Sequence, residues 1–230
     1  MTSEIESAYS SLYRQKDPIH VYPVEFVVRA FLGRYPRLDR AVSSYAGMKV
    51  LDLGFGDGRN MPLLSNLGMQ VHGVEISDSI CAQAVARLSR LDVDLDARVG
   101  KNNVIPYPDQ FFDQILACHA CYYVEPGTRF SDNAREIARV TKPGGGFVFS
   151  LPVGSSYIMR GANDTGGGLM EIKNDPYGVR NGYLLQKFDT EAEIAHALSP
   201  AFCDFSFGVC KNDFWGIEEH VWVVVCKRAS

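Results

Sequence analysis

The sequence predicts an α/β fold: a mixed, mainly parallel sheet with helices on both faces, closed by an antiparallel final hairpin. Three observations lead there. From Val50 to Leu151, apolar strand-like runs alternate with segments of helical periodicity. That alternation belongs to a parallel sheet covered on both sides. The first run, Val50-Leu-Asp-Leu, opens directly into a glycine-rich loop that leads to a helix. The last two runs, over 202–210 and 220–226, are joined by a loop too short for a crossover helix, so they pair antiparallel.

Each element has its own signal. Residues 3–16 read as a short amphipathic helix carrying Tyr9, Leu12 and Tyr13. A second helix is expected from about Val24 to Arg40, with Phe26, Val27, Ala30 and Phe31 at helical spacing. Val50–Leu53 is the first strand, and Met61–Leu67 a helix stopped by Gly68. Gln70–Glu75 is the second strand. Asp78 is the expected cap of a helix running to about Leu91, with Ile80, Ala84, Val85 and Leu88 inward. Ala97–Val99 makes a short third strand, and the turn Pro106–Asp113 feeds a fourth, Gln114–Cys118. A helix from about Arg129 to Val140 is broken by Lys142-Pro-Gly-Gly-Gly before strand Phe147–Leu151. Thr190-Glu-Ala-Glu is a capping box for a helix to about Leu198. The chain therefore divides into an N-terminal helical cap (1–45), a core (46–153), an insert (154–188), and a C-terminal helix with the core's closing hairpin (189–230).

Composition excludes several function classes. The formal net charge of −4 provides no overall basic footprint for nucleic acid or an acidic membrane. No apolar run approaches the length of a membrane span. The start, Met-Thr-Ser-Glu-Ile-Glu-Ser, is polar and acidic, unlike a signal peptide. Six cysteines sit mostly in apolar runs, which suits reduced thiols in a cytoplasmic protein. Cys118-His-Ala-Cys121 lacks the second ligand pair of a zinc site, so no metal is expected.

The informative stretch is Asp52-Leu-Gly54-Phe-Gly56-Asp-Gly58-Arg59. An acid ends the strand, glycines let backbone approach a ligand, and a helix N-terminus follows. Glu75 ends the next strand, where an acid can hold ribose hydroxyls. The dinucleotide fingerprint G-x-G-x-x-G would place glycine where Arg59 stands, which argues against a nicotinamide-dependent oxidoreductase. The pattern present, D-x-G-x-G-x-G, resembles motif I of the class I S-adenosylmethionine-dependent methyltransferases. Pro106-Tyr-Pro-Asp-x-x-Phe-Asp and Lys142-Pro-Gly-Gly-Gly look like two further signatures of that family, in the order and spacing of its small-molecule, type 11 branch. The match covers about residues 48–151.

The resemblance implies a Rossmann-like, seven-stranded sheet with S-adenosylmethionine over the carboxyl ends of its strands. Asp52, Gly54, Phe55 and Gly56 correspond to residues around the methionine end of the cofactor, Glu75 to the ribose acid, and Ile76 to the apolar residue against adenine. Ala117, Cys118 and His119 match the end of the fourth strand, where backbone carbonyls face the cofactor's amino group. The family's Gly-Asp-Ala after the third strand is here Gly100-Lys101-Asn102. Lysine offers no acceptor, so Asn102 or a backbone carbonyl takes the adenine amine.

His119 is the candidate catalytic residue: its imidazole suits a base near neutral pH, with a hydrogen-bonded structural histidine as the alternative. Tyr122 and Tyr123 line an acceptor pocket or pack the core, and Tyr9 and Tyr13 form a lid or an edge-packed helix. The insert is too long for an ordinary connection. Its Tyr157, Arg160 and Arg180 make it the candidate acceptor-recognition segment. The tetrapeptide Asn/Asp-Pro-Pro-aromatic of DNA-amino methyltransferases is missing, as is the Pro-Cys of cytosine-carbon enzymes. The sequence thus predicts methyl transfer to oxygen or nitrogen of a small molecule by a monomer or homodimer. The rival is a non-catalytic protein that keeps the fold and cofactor.

Overall fold

A computed structural model of the protein describes residues 9–11, 13, 21–39 and 42–230. The expected helix over 3–16 lies outside the described residues, except that Tyr9, Ser10, Ser11 and Tyr13 are helical. The described helices are α1 (Glu25–Leu32), α2 (Met61–Asn66), α3 (Asp78–Leu88), α4 (Phe130–Val140) and α5 (Glu191–Leu198). The strands are β1 (Lys49–Leu53), β2 (Gln70–Glu75), β3 (Leu95–Val99), β4 (Phe112–Ala117), β5 (Tyr123–Val124), β6 (Thr141–Pro152), β7 (Asn163–Asp164), β8 (Leu169–Glu171), β9 (Leu184–Gln186), β10 (Phe202–Phe214) and β11 (Ile217–Arg228).

Seven strands form the main sheet in the order β10-β11-β6-β4-β1-β2-β3. β3, β2, β1, β4 and β6 pair in parallel, and β11 and β10 run antiparallel, as the sequence predicts. Central strands are apolar on both faces because both faces are covered. Leu51, Ile115 and Phe147 point into one core, while their neighbours Val50, Leu116 and Val148 point into the other. The first core holds α4 and α5, and the second holds Phe26, Val27, Ala30 and Phe31 of α1.

Several features differ from the expectation. Ser77, not Asp78, caps α3, its Oγ accepting from Ile80 N–H at 3.3 Å, and Val85 is exposed rather than inward. Lys142-Pro-Gly-Gly-Gly lies within β6, which begins at Thr141, rather than before the strand. α1 stops eight residues short of Arg40, which itself lies outside the described residues. Gly33 leaves the helix in an extended conformation (φ −78°, ψ 158°), and Pro36 disfavours helix at Tyr35. The insert is not a bare loop. Residues 163–186 supply β7, β8 and β9, which join β5 in a second sheet of order β5-β9-β8-β7. Gln186 N–H also donates to the Tyr122 carbonyl at 2.9 Å. The insert is thereby bound to the chain that leaves β4.

Topology fixes where a ligand binds. The chain runs outward from β1 through β2 to β3, then returns to β4 on the other side of β1. A crevice opens at the carboxyl ends of the strands where the direction reverses. The connections after β1, β2, β3 and β4 all reach it, and the second sheet closes its far side.

Leu185, at the centre of the second sheet, is fully buried and continuous with the first core. Leu185→Ala is expected to lower global stability by about 2–5 kcal/mol in urea unfolding followed by tryptophan fluorescence. An unchanged main transition would mean that the insert unfolds independently.

Candidate active site

The crevice encloses about 320 Å³. Its floor is the glycine loop. Gly54, Gly56 and Gly58 have φ of 68°, 58° and 76°, as a tight strand-to-helix turn requires. Gly54 serves packing as well: a Cβ there would lie 2.5 Å from the Ala120 methyl, in the segment after β4. Gly56 faces the cavity, and a Cβ there would lie 2.5 Å from the Tyr13 hydroxyl.

Glu75 joins the loop to β2. Its Oε1 accepts from Gly56 N–H at 2.9 Å and its Oε2 from Ile76 N–H at 2.8 Å. Burial pushes its carboxyl up while these two donors hold it down. Asp52 lies beneath the loop rather than on the cavity wall; it is fully buried, and neither oxygen has a hydrogen-bond partner among the described residues. Burial, with Glu75 and Asp57 nearby, pushes its carboxyl well above the usual range, against the smaller opposing effect of the neighbouring Asn60 amide. Asp57 itself is paired with Arg59 at 2.9 Å. An orphaned buried acid under a loop with two more acids suits a bound cation above it.

At the β3 end, Lys101 and Asn102 line the cavity in different ways. Lys101 Nζ is paired with Glu125 at 2.6 Å. Asn102 Nδ2 donates to the carbonyls of Ala120 (2.9 Å) and Tyr123 (3.0 Å). Both amide protons are thereby engaged, and Asn102 Oδ1 is the acceptor left for a ligand amine. Phe55, Ile76 and Cys118 also line the cavity, whereas Ala117 is buried behind it.

His119 stands at the junction of two halves of the site. Its φ is 56°, in the left-handed region, and its N–H donates to Ser150 Oγ at 2.9 Å. Its Nδ1 lies 3.3 Å from the same Oγ and its Nε2 lies 3.5 Å from Glu219 Oε1. The ring packs edge-on against Phe26, yet 29% of the side chain is exposed, toward the cavity. Burial, then the charges of Arg180 and Arg59, lower its pKa to about 4. Donation from Nδ1–H to Ser150 would leave Nε2 as the basic nitrogen, beside Glu219. Burial in turn raises the Glu219 carboxyl.

The opposite wall is tyrosine-rich. Tyr9, Tyr13, Tyr122, Tyr123, Tyr157 and Arg180 all line the cavity. Arg160 does not: its guanidinium pairs with Glu218 at 2.5 Å and is more than half exposed. Sequence reasoning missed Asp57, Asn60, Ser150, Glu125 and Glu219. For Glu219 a signal existed. β11 runs antiparallel to β6 with Val221 opposite Pro152, so the residues just before Val221 must lie beyond the carboxyl end of β6.

The comparisons with known proteins agree with this geometry. A family model described as "Methyltransferase domain" matches residues 51–149. The chain is 29% identical over 134 residues to the ubiquinone biosynthesis O-methyltransferase of Paramagnetospirillum magneticum, covering 57% of this chain and 52% of that one. It is 36% identical over 110 residues to the demethylmenaquinone methyltransferase of Tropheryma whipplei, covering 46% and 44%. The chain thus spans about half the length of the curated relatives it matches. In fold it is similar to the 1,6-didemethyltoxoflavin-N1-methyltransferase of Burkholderia thailandensis, with a TM-score of 0.64 at 18% identity over 100% of this chain and 87% of that one.

The lowered pKa of His119 has a consequence for stability. Between pH 6.5 and about 4 the unfolded chain's imidazole takes a proton that the folded chain refuses, so folding weakens as pH falls through that window. Asp52 and Glu75, with raised pKa values, act with the opposite sign. The readout is therefore the difference between wild type and His119→Asn, a residue that tolerates left-handed φ. In urea melts the wild type should lose stability relative to the variant from pH 6.5 down to 4. A difference independent of pH would mean that His119 titrates as a free imidazole.

Proposed function

We propose that this chain is a class I S-adenosylmethionine-dependent methyltransferase, a reading supported by the methyltransferase-domain match over residues 51–149, and that it transfers the methyl group of S-adenosylmethionine to an oxygen or nitrogen of a small-molecule acceptor. The observation that carries the reading is Glu75, held by two backbone N–H groups at the rim of the glycine loop with its carboxylate opening on the cavity. Each oxygen keeps a lone pair for a ribose hydroxyl. The loop backbone and the acids beneath it take the cationic end, Ile76 and Phe55 offer apolar contact, and Asn102 Oδ1 accepts from the adenine amine. The printed names of the relatives, which concern ubiquinone and menaquinone, support a small acceptor, and "O-methyltransferase" supports oxygen.

When bound, S-adenosylmethionine supplies an electrophilic methyl group on a sulfonium. What the chain adds is position and proton traffic. The imidazole of His119 is neutral throughout the physiological range, so it is always competent to accept a proton. A pKa near 4 makes it a weak base. Glu219 at 3.5 Å from Nε2 offsets that weakness, because its charge stabilises the imidazolium as it forms. Ser150 holds both the backbone and the ring of His119, fixing the direction of Nε2.

S-adenosylmethionine and S-adenosylhomocysteine are expected to raise the melting temperature by mass action, whereas NAD leaves it unchanged. Glu75→Ala removes charge-assisted hydrogen bonds worth about 1.5–3 kcal/mol each, so calorimetric affinity for S-adenosylhomocysteine should fall at least about tenfold. Unchanged affinity would overturn the ribose assignment. Cofactor binding with no label passing from methyl-labelled cofactor to any cell extract would favour the non-catalytic reading.

A further inference from the structure

Among the described residues, Arg180 is the one cation on the acceptor wall, and its donors are only partly used. Nε donates to the Tyr123 hydroxyl at 3.1 Å, and Nη1 to both the Tyr157 hydroxyl and Asp175 Oδ1 at 3.1 Å. Nη2 has no hydrogen-bond partner among the described residues, although 21% of the side chain is exposed and it lines the cavity. Asp175 does not reach Nη2. Its oxygens also accept from the N–H groups of Tyr177, Val179 and Arg180 itself, so the carboxylate anchors the turn that carries the arginine.

The phenols extend this donor set. A phenol oxygen that accepts from the guanidinium keeps its own O–H to donate. Tyr157 is in that position. Tyr123 also shares a hydrogen bond with Tyr9 at 3.1 Å, so one proton of that pair is left to point away from it. Burial raises the pKa of Tyr9 and Tyr157, which keeps both protonated at neutral pH. One wall therefore presents a guanidinium edge and phenolic O–H groups, all donors. Beside them lie ring faces: Tyr122 stacks on Tyr123 with centroids 5.0 Å apart, and Tyr183 meets Tyr123 edge-on at 5.3 Å.

Resting on the methyltransferase reading, we propose that the acceptor is a planar aromatic acid whose carboxylate is held by Arg180 Nη2 and the Tyr157 hydroxyl, with its methyl-accepting hydroxyl or amine turned toward His119 and Glu219. A carboxylate satisfies donors that a neutral group would leave partly unpaired in the cavity. The tyrosine faces accommodate a flat ring. The two ends of the site are complementary in charge, with the proton acceptors at one end and the anion clamp at the other.

The test uses calorimetry on the protein saturated with S-adenosylhomocysteine. The probes are the three hydroxybenzoates and the three matching hydroxybenzyl alcohols. At least one hydroxybenzoate is expected to bind about tenfold or more tightly than its alcohol, as one charge-assisted hydrogen bond would give. Arg180→Met should abolish that preference, and Tyr157→Phe should reduce it while leaving the charge in place. Alcohols binding as well as acids, no binding by any of the three acids, or a preference retained in Arg180→Met would each overturn the proposal. A further outcome also overturns it: Arg180→Met weakening S-adenosylhomocysteine but not 5′-methylthioadenosine would assign Arg180 to the cofactor's own carboxylate. The two readings fail separately. Cofactor that still binds while the acids do not leaves the methyltransferase reading standing; loss of cofactor binding in the wild type would remove it.

Discussion

The close approach of the glycine loop to the segment after β4 is the constraint on which the rest of the site depends. At Gly54 the chain has a left-handed φ, and the space for a Cβ is already taken by Ala120. A methyl group there would bring about 1–3 kcal/mol of overpacking, besides the backbone strain. The contact matters because the two segments carry different halves of the chemistry. The loop after β1 meets Glu75, whereas the segment after β4 carries His119, Tyr122 and Tyr123 and then pairs through β5 with the insert. Separating them would part the loop and Glu75 from His119, Tyr122 and Tyr123, the two halves assigned under the proposed function to cofactor and acceptor, without touching a side chain of either.

Electrostatics divides the cavity along the same line. Asp52, Asp57 and Glu75 gather beneath or beside the loop, and burial raises the carboxyls of Asp52 and Glu75. A cation bound above them would reverse part of that shift, so cofactor affinity and the protonation of these acids are linked. Lys101 and Arg59, the cations on this side among the described residues, are each paired with an acid, Glu125 and Asp57. Arg180 faces them from the insert with one nitrogen unclaimed among the described residues. Its charge helps to keep His119 unprotonated.

The legible half of the protein is the half in which function is written contiguously. Asp52 to Gly58 and Glu75 sit in short motifs because a strand, a turn and a helix N-terminus are local structures with local rules. The same rules gave the parallel core and the reversed hairpin. Where the sequence was silent, the cause is also physical. β7, β8 and β9 have two or three residues each, too few to show a period of two. Their order comes from pairing with β5 and from burial of Met170 and Leu185, which are tertiary facts. Ser150 and Glu219 come from distant strands and meet His119 only because β6 and β11 are neighbours. Arg160 and Arg180 look alike in sequence, yet one is bound to Glu218 at the surface and the other is drawn inward by Asp175.

The segment after β4 is held by side-chain amides more than by regular structure, and this bears on how the site works. Asn102 Nδ2 donates to the carbonyls of Ala120 and Tyr123, and Asn133 Nδ2, from α4, donates to those of Cys121 and Tyr123. Residues 120–123 are thus held by two amides, one from the loop after β3 and one from α4, while still presenting Tyr122 and Tyr123 to the cavity. Ser150 fixes His119 one residue earlier. Asn102 lines the cavity while its amide protons hold the segment after β4. Alanine at this position would remove both of these hydrogen bonds. Where the family pattern has an acid at the preceding position, this chain has Lys101, paired with Glu125 on the cavity wall, and the neighbouring Asn102 amide ties the loop after β3 to the segment after β4. Methyl transfer needs little from a protein beyond such fixed geometry, because the reacting partners must meet in line and at short range.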